Sequence, residues 1–152
     1  DVCSSDLGIL AWEYNSGRIL KLQKKAIRII TLSKYNAHTE PIFKKLNLLR
    51  VNDIFKLFQL KFFHKYVNKN LPDYFSHLPF LENRQINRYH YHTRAGGNIT
   101  IGRIKHDFAR KCIRYDIPNI INNLEHNIKV KLYTHSLQRL SNFCLKSISA
   151  KV

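Results

Sequence analysis

The sequence predicts an all-α protein, an irregular multi-helix bundle with one long polar loop at about residues 82–102. Apolar residues recur at helical spacing through most of the chain, whereas the two-residue alternation of half-buried strands is scarce. Hydrophobic residues make up 44% of the chain, too many for a disordered basic tail. A length of 152 residues is about one domain. We therefore expect a single helical domain over residues 8–152.

The first long helix is predicted from Arg18 to Leu32, with Asn15 or Ser16 as its N-cap. At about 100° per residue, its cations share an arc of roughly 120°. These cations are Arg18, Lys21, Lys24, Lys25 and Arg28. The opposite side carries Ile19, Leu22, Ala26, Ile27, Ile29 and Ile30. We expect this apolar face to press against the core and the cations to face outward.

Three further elements are predicted in the middle of the chain. Thr39 caps a short helix with Pro41 in its first turn, and Asn52 caps the longest apolar helix, Asp53 to Asn68. A short helix follows through residues 71–78. Most of the aromatic residues here are expected in the core, namely Phe55, Phe58, Phe62, Phe63, Tyr66, Tyr74 and Phe75.

Residues 82–102 are polar, contain three glycines and mix aromatic with basic side chains, which favours a long loop. Helices are predicted to resume at about Arg103 to Tyr115 and Pro118 to Asn123. A last helix, interrupted by weak helix formers, is predicted from about Ile128 to Ile148.

The charge balance indicates a polyanionic partner. The formal net charge is +16, from 26 Lys and Arg against 10 Asp and Glu. Such a surplus attracts nucleic acid or anionic lipid whatever the fold. No apolar run reaches the roughly 18 residues of a membrane span. The three scattered cysteines argue for a reducing, intracellular compartment and against both a disulfide framework and a zinc knuckle.

The beginning of the chain is unusual. The sequence contains no methionine, which indicates that it starts inside a longer reading frame. Residues 1–7 resemble the translation of a common sequencing adapter, so we expect them to be an artefact outside the folded domain.

Several segments resemble one family in consistent order. The stretch ILKLQKKAIRII over residues 19–30 looks like the region downstream of the polymerase core in jockey-like non-LTR retrotransposon reverse transcriptases. In that family a Gly-apolar-apolar-x-Trp segment precedes it, which Gly8 to Trp12 match. The resemblance continues through Asp53-Ile54, residues 71–75, Thr93-Arg94, and residues 108–115 with Pro118. An aromatic residue before Gly8 is missing, and Glu13 replaces a common glycine.

The resemblance implies the C-terminal, thumb-like and post-thumb part of an RNA-directed DNA polymerase. In such enzymes a palm domain binds two Mg²⁺ ions through paired aspartates. The aromatic-Ala-Asp-Asp turn of that palm has no counterpart here, and the chain's aspartates are isolated. We therefore expect no catalytic residue, no cofactor in this fragment and no polymerase activity. The resemblance also implies a nuclear or cytoplasmic ribonucleoprotein.

Two groups of residues are candidates for nucleic-acid binding. The five cations of the first helix are predicted to contact phosphates; the alternative is an ordinary solvated helix face. In the loop, Tyr89 or Tyr91 is expected to stack on an unpaired base while Arg88 and Arg94 hold the backbone. The alternative there is that the aromatic rings pack on the bundle. Metal binding by His90 and His92 is not favoured, because no cysteine or carboxylate lies near them.

The functional hypothesis is binding of element RNA or an RNA–DNA template–primer without catalysis. The main alternative is a packing module, in which the apolar face of the first helix docks on the missing palm domain of the same polypeptide. A third hypothesis, attachment to anionic membrane through that helix, is weaker because its apolar face lacks a tryptophan.

Overall fold

A computed structural model describes residues 8, 10, 15–80, 82, 97–106, 110, 112–136 and 138–139. Within these ranges the chain is mostly helical and forms no strand beyond one isolated antiparallel bridge, between Glu82 and Ile99. The prediction of an all-α, multi-helix fold is confirmed. The described helices are α1 (Ser16–Ile30), α2 (Glu40–Lys45), α3 (Val51–Val67), a 3-10 helix (Asp73–His77), α4 (Ile113–Asn122) and α5 (His126–Thr134).

The chain divides into two compact units. The first comprises Asp1–Phe58 with Gln138–Val152, and the second comprises Gln59–Leu137. The division falls inside α3. The expectation of one domain over residues 8–152 stays a prediction, and each unit is described by itself below.

In the first unit, α1 and α2 form close to where the sequence predicts them. Asn15 is the N-cap of α1, although its side chain makes no capping bond. Thr39 precedes α2, Pro41 lies in its first turn, and Phe43 on this short helix is almost completely buried. The predicted cap of α3 is wrong, because the helix begins at Val51 and already includes Asn52.

Three helices end in the same backbone motif without a glycine. Leu32, Asn47 and Lys69 adopt left-handed conformations with φ of 51°, 50° and 54° after α1, α2 and α3. After α3, for example, the Asn70 N–H donates to the Lys65 carbonyl at 2.8 Å and the Lys69 N–H donates to the Tyr66 carbonyl at 3.0 Å. This pair of bonds is a Schellman motif, which satisfies the last carbonyls of the helix.

Aromatic rings fill the core of the second unit. Phe63 is buried, and its ring centroid lies 6.4 Å from that of Tyr66, 5.9 Å from that of Phe80 and 6.1 Å from that of Tyr133. Most of the aromatic set predicted for the core is indeed buried or half-buried. Tyr74 is the exception, since 83% of its surface is exposed on the 3-10 helix.

The segment before α4 differs from prediction. Residues 103–106 are not helical, and α4 begins only at Ile113. Ile104 is the one apolar side chain among those four residues, so a helix there has little apolar surface to bury. Pro118 lies inside α4, where it cannot donate to the Arg114 carbonyl.

The last predicted helix is interrupted after Thr134, and residues 138–139 are helical again. The helix α5 ends at Thr134, and His135 is extended. The His135 carbonyl accepts a hydrogen bond from Nε2 of the buried His64 at 2.7 Å, which accounts for the end of the helix at this point. Residues 140–148 of the predicted helix lie outside the described residues.

We expect Phe63→Ala to destabilise the chain by about 3–5 kcal/mol, because it removes a buried ring and leaves a cavity. Urea denaturation followed by circular dichroism measures the loss. Tyr74→Ala removes an exposed ring nearby and serves as the control, with an expected change within about 0.5 kcal/mol. Similar midpoints for the two variants would contradict the central place of Phe63.

Candidate nucleic-acid interface

The basic stripe of α1 consists of Arg18, Lys21, Lys24, Lys25 and Arg28. Arg18, Lys21 and Lys25 are exposed, whereas Lys24 and Arg28 are half-buried. The sequence of α1, SGRILKLQKKAIRII, contains no acid. Within the described residues, the two ion pairs both involve Arg50 and none involves the stripe. The structure therefore brings all five predicted cations onto one helix, with three of them open to solvent.

Arg28 differs from the other cations of the stripe. Its Nε–H donates to the Ala37 carbonyl at 3.0 Å, which ties the end of α1 to the turn that leads to α2. Because the guanidinium is held by this bond, its orientation is set by the fold. We therefore regard Arg18, Lys21, Lys24 and Lys25 as the free part of the stripe for a ligand.

Gln23 sets the rotation of α1 within the first unit. Its Nε2 donates to the Leu49 carbonyl at 2.8 Å, and its Oε1 accepts from the Val51 N–H at 3.0 Å. Ile27 lies one turn further along the same face and is 2% exposed. The inward side of α1 therefore runs along Gln23 and Ile27.

The predicted apolar face of α1 presses against the core only in part, at the buried Ile27 and the half-buried Ile19. Leu22, Ile29 and Ile30 are 66%, 64% and 70% exposed, and Ala26 is exposed as well. These four residues form an apolar stripe at spacing i, i+4, i+7 and i+8. Lys25 lies three residues after Leu22 and four before Ile29, so the apolar and basic stripes adjoin on the helix surface.

Arg88, Tyr89, Tyr91 and Arg94 of the predicted loop lie outside the described residues, as do His90 and His92. The ends of that loop are described. Glu82 and Ile99 pair in the antiparallel bridge, and the Asn122 side chain exchanges two hydrogen bonds of 2.9 Å with the Ile99 backbone. The segment 83–98 is therefore closed at its base, next to the end of α4.

Two of the aspartates in the described residues have structural partners. Asp53 is buried and pairs with Arg50 at 3.0 Å, and Arg50 also reaches Glu40 at 3.1 Å. Asp116 accepts a hydrogen bond from the buried Gln59. Asp73 is exposed. Within the part of the chain that the structure describes, no group of three His, Cys, Asp or Glu side chains is placed to hold a metal ion.

The sequence pattern did not predict the roles of several polar residues. Gln23, Gln59 and His64 carry polar groups into buried or half-buried positions, where backbone and carboxylate groups bind them. Gln23 could have been noticed in the sequence, since it is a polar residue on the apolar side of α1, one turn before Ile27. Cys112, by contrast, is exposed.

Comparison of the chain with protein-family models, with curated proteins and with solved structures found no match. None of the helices in the described ranges has the length and apolar composition that a membrane span requires. What the chain does is therefore inferred from its residues and from the motifs described above.

We expect Gln23→Leu to destabilise the chain by about 1–3 kcal/mol, because it leaves the Val51 N–H and the Leu49 carbonyl without their partner. The midpoint of urea denaturation measures the effect. Lys25→Leu is the matched control on the exposed side of the same helix, with a change within about 0.5 kcal/mol. Equal midpoints would show that the Gln23 bonds do not hold α1.

Proposed function

We propose that the chain is the C-terminal, nucleic-acid-binding part of a non-LTR RNA-directed DNA polymerase. It binds element RNA or an RNA–DNA template–primer by the phosphates, along the basic stripe of α1, and has no catalytic centre of its own. The observation that carries this proposal is the exposure of Arg18, Lys21 and Lys25 on a helix without a single acid.

The cations of the stripe repel one another in the absence of a partner. Like charges three or four residues apart each destabilise a helix by about 0.2–0.5 kcal/mol. The pairs at this spacing are Arg18–Lys21, Lys21–Lys24, Lys21–Lys25, Lys24–Arg28 and Lys25–Arg28. A polyanion relieves this repulsion, which supports the assignment of the stripe to a ligand instead of to solvent.

The spacing of the cations suits a phosphate backbone. From Arg18 to Lys25 the helix rises about 10 Å, at roughly 1.5 Å per residue. A duplex presents one negative charge per about 1.7 Å of axis, so several phosphates fall within this distance. Contacts of this kind position a nucleic acid but do not read its sequence.

With four phosphate contacts, the affinity for a short fluorescein-labelled RNA–DNA hybrid should fall about two decades between about 50 and 200 mM salt. Fluorescence anisotropy measures it. Lys21→Gln/Lys25→Gln should lower the slope of log K against log salt by about two.

Lys44→Gln/Lys45→Gln is the control, because it removes the same charge from exposed positions on α2. The slope should stay nearly unchanged in that variant. Equal loss of slope in both variants, or binding that is flat with salt, would refute phosphate contact by the stripe.

A second function is favoured by the apolar stripe. We infer that Leu22, Ala26, Ile29 and Ile30 dock on the palm domain of the parent polymerase, which the resemblance places before this region. Soluble proteins seldom leave several large apolar side chains exposed together without a partner. The two functions are compatible, since the basic and apolar stripes occupy adjoining sides of α1.

Without the palm, the bare apolar stripe should make the chain self-associate as its concentration rises. Leu22→Gln/Ile29→Gln should abolish this association in sedimentation velocity and leave the affinity for the hybrid unchanged. Tyr35→Gln, which removes a highly exposed ring outside the apolar stripe, is the control and should associate like the original chain. A monomeric original chain would count against a docking role for the stripe.

A further inference from the structure

A cavity of about 360 Å³ lies in the second unit, where α3 ends and the chain turns into the 3-10 helix. Its walls include Tyr66, Leu71, Pro72 and Phe75, and the charged side chains of Lys69 and Asp73 also line it. Its volume is at the small end of the range for small-molecule sites, which are mostly apolar with a few polar groups.

The walls of this cavity are held in place by bonds on several sides. The Tyr66 hydroxyl donates to the Leu78 carbonyl at 2.7 Å, and the Tyr66 ring packs edge-on against Phe80 at 4.9 Å. The Phe75 ring contacts Phe62 edge-on at 5.4 Å. The cavity is therefore part of the fold and does not need a ligand to form.

The two charges of the cavity are available to a ligand. Lys69 stands at the left-handed position that ends α3, and Asp73 begins the 3-10 helix. Both residues are exposed, and within the described residues neither makes an ion pair. A matching ligand has an apolar body, carries an anionic group for Lys69 and offers N–H donors to Asp73.

We propose that this cavity binds one unstacked nucleotide of a single strand, with Lys69 on its phosphate and Asp73 on the edge of its base. Guanine fits best, because its Watson–Crick edge offers two adjacent N–H donors that a carboxylate accepts together. Uracil offers one donor between two acceptors. The volume leaves room for one nucleotide and excludes a duplex.

An exposed ring stands beside the cavity. Tyr74 lies between Asp73 and Phe75 in the sequence, and its ring centroid is 5.5 Å from that of Phe75. With most of its surface exposed, this ring can stack on the neighbouring base, as aromatic side chains do in single-strand binding. Tyr74 was predicted to lie in the core, and stacking on a base is the reason we propose for its exposure.

The site rests on the proposed function, because a nucleotide reaches it as part of a bound strand. The test measures the affinity of the intact chain for two fluorescein-labelled RNA strands. One is all uridine, and the other is the same RNA with one central guanosine. The guanosine should raise the affinity at least about fivefold. Asp73→Asn should abolish that ratio, and Tyr74→Ala should weaken both strands by at least about fivefold.

Glu125→Gln is the matched control, since it removes one negative charge from another exposed position and should keep the guanosine ratio. Equal affinity of the original chain for both strands, or an unchanged ratio in Asp73→Asn, overturns the site. If the cavity instead holds an apolar side chain of a partner protein, the original chain binds the two strands with equal affinity. Salt-dependent binding without base preference overturns this site alone, whereas absence of salt-dependent binding overturns the proposed function as well.

Discussion

The two hydrogen bonds of the Gln23 amide are the interaction on which the surface of the first unit depends. By donating to the Leu49 carbonyl and accepting from the Val51 N–H, it joins the middle of α1 to the segment that begins α3. A helix fixed at one point of its circumference has no freedom to turn its most apolar side inward. The Gln23 amide and the buried Ile27 side chain therefore set which residues of α1 meet solvent, and both stripes follow from this rotation.

The second unit is organised differently, around rings and buried polar groups. Phe63 lies among three other aromatic rings, and His64 and Gln59 of the same helix bind a carbonyl and a carboxylate. Buried polar groups are costly without partners, so these bonds specify how α3 meets α4 and the end of α5. The apolar contacts supply most of the stabilisation, and the polar contacts select one arrangement.

The helices of the first unit were predictable because their apolar and basic residues follow a clear period of 3.6. The helix α3 was predictable because apolar residues cover more than half of its circumference, although its start was not, since Asn52 resembles a cap and lies inside the helix. The rotation of α1 could not be predicted, because it depends on contacts with residues more than twenty positions away. The left-handed ends at Leu32 and Lys69 carry no glycine to announce them. Of the candidate site, the cations could be identified from sequence, while the cavity beside Tyr74 could not.

The closed base of the segment 83–98 bears on how this region can change over time. The Asn122 side chain exchanges hydrogen bonds with the N–H and the carbonyl of Ile99, as a neighbouring strand would do. Glu82 forms the antiparallel bridge with the same residue. Both anchoring partners sit outside the stretch they enclose. A change in the number of residues between Glu82 and Ile99 leaves the bonds of these two anchors available.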